Sequence, residues 1–112
     1  NIKLENEHEY LLDLALEKQK AIRREYKNNN IDVNPLIIIQ VPSKSDELIE
    51  QIEMLLDKKG YSYKNKTVAI WLADRKENID GISENEAEPI ILIMKQAILL
   101  VGIAQEQRFL LN

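Results

Sequence analysis

The segment Leu36-Ile37-Ile38-Ile39-Gln40-Val41 constrains this chain more than any other feature, because five of its six positions are aliphatic and none alternates with polar residues. A strand with one wet face alternates. A run without alternation fits a strand covered on both faces, as in the interior of a parallel sheet. Pro35 and Pro42 bracket the run, and proline has no N–H to give to a strand ladder. Two ribbons of the same kind follow, Thr67-Val68-Ala69-Ile70-Trp71-Leu72 and Pro89-Ile90-Ile91-Leu92-Ile93-Met94.

Helical patterns supply the cover. Over residues 3–27, Leu4, Leu11, Leu12, Ala15, Leu16, Ile22 and Tyr26 fall on one stripe with no glycine or proline between them, which predicts one long helix. Its acids (Glu5, Glu7, Glu9, Asp13) precede its bases (Lys18, Lys20, Arg23, Arg24, Lys27), the polarity a helix dipole favours. Asn28-Asn29-Asn30 ends it, since asparagine competes for backbone hydrogen bonds and tolerates left-handed geometry. A second helix is predicted over residues 46–59, with Ser43 or Ser45 as cap, Leu48, Ile49, Ile52, Leu55 and Leu56 as its buried face, and Gly60 as its stop. Residues 73–89 hold few apolar positions, so a distorted turn or a loop packed by Ile79 and Ile82 is expected there instead of a crossover helix. The expected fold is α/β, three-layer, with a mostly parallel sheet of three strands and a long N-terminal helix.

Composition narrows the chemistry. At 112 residues there is room for one core. The absence of cysteine excludes disulfides, thiolate metal sites and thiol nucleophiles, and a cytoplasmic protein is expected. A lone histidine, His8, and three glycines exclude a multi-histidine metal site and a glycine-rich phosphate loop. The longest apolar run, residues 97–104, is far short of the ~20 residues a membrane helix needs, so no membrane partner is expected. The net charge of −4 resides in residues 73–89, where six acids face two bases; the remaining thirteen bases and thirteen acids cancel. With a pI near 5.1, tight autonomous binding of nucleic acid is not expected. The chain begins at Asn1, and we expect it to have been cut from something longer.

Taken together, Asn34-Pro35-Leu36-Ile37-Ile38-Ile39-Gln40-Val41-Pro42, Val68-Ala69-Ile70-Trp71-Leu72-Ala73-Asp74 and Leu92-Ile93-Met94-Lys95-Gln96-Ala97-Ile98 resemble the start of the second RecA-like domain of superfamily 2 helicases, and in particular the Res subunit of type III restriction enzymes. The resemblance covers roughly residues 3–98. The first stretch looks like helicase motif IV, the second like the strand after it, and Lys95-Gln96-Ala97-Ile98 like the opening of motif V. The resemblance implies an ATP-driven DNA translocase that cuts through a separate nuclease domain, with ATP and magnesium as cofactors and DNA and a modification subunit as partners. The phosphate loop, the magnesium-binding acidic box and the arginine finger of such motors have no counterpart here, so we expect no cofactor and no catalytic residue in this chain.

After Ile98 the chain departs from the family, which continues approximately Gly-Trp-Asp-Cys-Pro-Arg-Ala. One codon choice for Val101 to Phe109 (GTT GGG ATT GCC CAA GAG CAA AGA TTT), read from its third base, encodes Trp-Asp-Cys-Pro-Arg-Ala-Lys-Ile, the missing motif. Residues 1–98 are therefore expected to be a partial motor domain and residues 99–112 an out-of-frame tail.

The resemblance implies that Lys95 and Gln96 lie near nucleic acid and the cleft between the motor domains, at the carboxyl edge where open α/β sheets place ligands. Gln40 and Ser43 occupy the equivalent edge of the first strand, where amides at a helix start could hold a phosphate, although helix capping alone accounts for the serine. Trp71 is expected in core or half-buried packing and His8 in solvent. The acids of residues 73–89 lack the alternating spacing and central glycine of a calcium loop. A competing reading is a small α/β interaction module, homodimeric through the N-terminal helix or the apolar tail, where the tail packs on a sheet edge or pairs two chains.

Overall fold

Residues 2–42, 44–83, 88–95 and 108–111 are described by the computed structural model. The unbroken stripe on the first helix produces α1 (Ile2–Asn28), which buries Leu12, Ala15, Leu16 and Gln19. Asn30 ends it at φ 58°, while the Ile31 N–H reaches back to the Tyr26 carbonyl at 2.8 Å, a left-handed cap of the kind asparagine tolerates. The amphipathic second pattern forms α2 (Asp46–Lys58), which buries Ile49 and Leu56. Gly60, at φ 92°, lets the Tyr61 N–H bond the Leu56 carbonyl at 2.9 Å, and a side chain at that φ would be strained.

The three apolar ribbons are strands β1 (Leu36–Val41), β2 (Val68–Trp71) and β4 (Ile91–Lys95). All three run parallel. In the strand order β3-β2-β4-β1-β5, β4 lies between the other two. The register aligns Val68, Ile91 and Ile37 in one row and Ile70, Ile93 and Ile39 in another, so one pleat face is a continuous aliphatic surface. That face packs against Leu12, Ala15 and Leu16 of α1 and Ile49 and Leu56 of α2. The opposite face gathers Leu36, Ile38, Ala69, Leu92 and Met94 with the half-buried Trp71. Each fully buried side chain of this size stabilises the fold by about 1.5–3 kcal/mol.

The sheet has five strands where three were expected. The acidic segment contributes β3 (Lys76–Glu77), a two-residue antiparallel edge strand beside β2, and then the single turn α3 (Asp80–Ser83). Ile82 is buried against the second face and Ile79 is half-buried, so the described part of the segment packs through those two positions. The tail contributes β5 (Arg108–Leu111), parallel to β1 at the other edge of the sheet. The layers are uneven. Both long helices pack on one face, and α3 is the only helix among the described residues that packs on the other.

Candidate functional site

The carboxyl edge of β1 and β4 is the place where the sequence located candidate site residues. Gln40 stands opposite Met94, and Val41 opposite Lys95, in the parallel ladder. Strand alternation sends Gln40 to the face that carries Leu36 and Ile38, and Lys95 to the face that carries Ile91 and Ile93. The two half-buried side chains therefore leave adjacent strand ends on opposite faces and do not converge as one pair. Ser43 and Gln96 lie outside the described residues.

The start of α2 does not resemble a phosphate cradle. Ser45 occupies the cap position, yet its side chain bonds no helix N–H; its Oγ donates instead to the Pro42 carbonyl. Of the two serines expected to cap this helix, Ser43 lies outside the described residues, and Ser45 does not cap with its side chain, because the preceding turn, with Lys44 at φ 57°, brings its hydroxyl back onto the end of β1. The first turn also carries Asp46 and Glu47, which meet the positive end of the helix dipole and repel an incoming anion.

Beside the end of β1, α1 and α2 flank an apolar cavity of about 100 Å³ lined by Leu11, Leu12, Val41, Leu48, Ile52 and Leu55. Sites for drug-sized ligands occupy about 300–1,000 Å³, so this cavity is smaller than such a site. His8 lines its mouth and is exposed, as expected.

Two charged clusters were not foreseen. Lys59, at the end of α2, reaches Asp13 at 2.7 Å and Glu9 at 3.1 Å, and Lys58 reaches Glu9 at 3.6 Å, tying the two helices together. The hydrogen bond from Lys59 holds the Glu9 carboxyl below its ordinary range, and the bond to Asp13 raises the Lys59 ammonium above its own. Arg75 bonds Glu53 at 3.1 Å and lies 4.9 Å over the Tyr63 ring, tying the β2–β3 hairpin to α2. Burial first, and the Glu53 carboxylate second, push the Tyr63 phenol up, so it stays neutral at physiological pH. Both clusters brace the fold. Among the described residues no group of three or more histidines, aspartates or glutamates is placed to hold a metal ion.

No protein-family model, no curated protein and no solved structure matches this chain. No helix among the described residues is long and apolar enough to cross a membrane.

Proposed function

We propose that this chain is part of the second RecA-like motor domain of an ATP-driven DNA translocase of the type III restriction class, cytoplasmic, and without ATPase or nuclease activity by itself. One observation supports the reading most. The strand that looks like motif IV, β1, lies beside β4, the strand that leads into the motif V-like segment beginning at Lys95, and the two end together at one carboxyl edge with Val41 opposite Lys95. In open α/β sheets that edge is where ligands and partner domains meet the strands. In an intact parent, Lys95 would offer a cation toward the DNA backbone, and ATP with magnesium would be held by the other motor domain. The gene tests the reading directly: its codons from Lys95 onward should contain a second frame that encodes Trp-Asp-Cys-Pro-Arg-Ala and continues as a helicase. A gene whose codons do not permit that frame removes the out-of-frame tail and the truncation with it.

A homodimeric interaction module is the second reading, favoured by the exposed Tyr10, Leu11 and Leu14 on α1. Sedimentation decides between them. A tight dimer with no affinity for DNA supports the module, and a monomer supports the motor fragment.

A further inference from the structure

The second half of α1 carries more positive charge than its favourable place toward the carboxyl end of the helix dipole calls for. Residues 18–27 hold five bases and one acid in a chain whose net charge is −4. Lys20, Arg24 and Lys27 are spaced four and then three residues apart, with Arg23 one turn from Lys20 and from Lys27, so all four share one side of the helix. None of the four is ion-paired among the described residues. A helix dipole accounts for cations in the last turn only, and Lys20, Arg23 and Arg24 lie before it.

This side borders an open groove of about 490 Å³ whose far wall is Tyr61, Thr67 and Ile90, at the amino ends of β2 and β4. Arg23 is half-buried beside them, and among the described residues its Nε, closed to solvent, has no hydrogen-bond partner. Glu88 also lines the groove without pairing to any of the four cations.

We propose that this face of α1 is a second nucleic-acid contact, at the amino edge of the sheet and separate from Lys95, with Lys20, Arg23, Arg24 and Lys27 bonding successive phosphates of one strand. From Lys20 to Lys27 the stripe runs about 10 Å along the helix axis, long enough to meet more than one phosphate of a strand. The surface does not depend on the motor reading, because it needs only a phosphate backbone.

The test is the anisotropy of a short labelled DNA duplex titrated with the full chain between about 50 and about 200 mM salt. The exposed triple variant Lys20→Gln, Arg24→Gln, Lys27→Gln, checked for wild-type helical circular dichroism, should bind more weakly, with the slope of log K against log salt reduced by about 2.7. Lys95→Gln, measured in parallel, should leave most of that slope intact. A triple variant with the wild-type slope overturns the proposal; if Lys95→Gln then loses the slope, the carboxyl-edge reading still stands. A wild-type chain without salt-dependent binding overturns it as well. So does equal or tighter capture by phosphatidylserine vesicles, which would make the partner a lipid surface.

Discussion

Gln19 is the buried polar side chain of the core, 2% exposed, and its Nε2 donates to the Pro35 carbonyl at 3.2 Å just before β1 begins. Its position was legible, because it continues the spacing of Leu12, Ala15 and Leu16, but an apolar stripe passes over a glutamine. Gln19→Leu keeps the packing and strands the Pro35 carbonyl, so it should destabilise the fold by about 1–3 kcal/mol in urea denaturation, despite being the more hydrophobic residue. The Lys59 clasp is a second residue-scale device. Glu9, held low, contributes stability above its ordinary 4.5 that is lost as pH falls through its folded value. Lys59, held high, contributes below its ordinary 10.5 and loses it as pH rises through its folded value. Lys59→Met should therefore lower the melting temperature across the window from 4.5 to 10.5, and the gap to wild type should close beyond either end. A gap independent of pH would show that packing, not charge, carries the contact.

The ribbons, helices and stops follow from local chemistry at the scale of elements. β1 occupies the residues between its two prolines, and α2 stops at Lys58, two residues before Gly60. β4 sits at the centre of the sheet, and Ile93, wholly buried between Ile39 and Ile70, has no room to be replaced by solvent. Ile93→Ala should cost about 2–5 kcal/mol, whereas Met54→Ala, at a side chain 72% exposed, should stay within about 0.5 kcal/mol. Thermal unfolding of the pair checks both. The hairpin at β3 was not legible, since Lys76 and Glu77 have no strand pattern. It forms because residues 72–75 turn the chain, with the Leu72 N–H on the Arg75 carbonyl at 2.7 Å, while Arg75 anchors the turn on α2 and Asn78, just beyond β3, donates from one amide to the Tyr63 and Val68 carbonyls, both at 2.9 Å.

For the whole molecule, these 112 residues purified alone are expected to show no ATP turnover, because their three glycines form no phosphate loop. Measured turnover in a coupled assay would remove the motor-fragment reading. The long α1, α2 and the three ribbons that pair in parallel were determined by the sequence itself, since periodicity, proline brackets and caps act over a few neighbouring residues. Strand order, the shared face of α1 and α2, the edge position of β5 and the parting of Gln40 from Lys95 were decided only in three dimensions. Those properties depend on which ribbon pairs with which and in what register. Three nearly identical aliphatic runs do not encode that choice locally; it is made when the side chains of both faces pack at once.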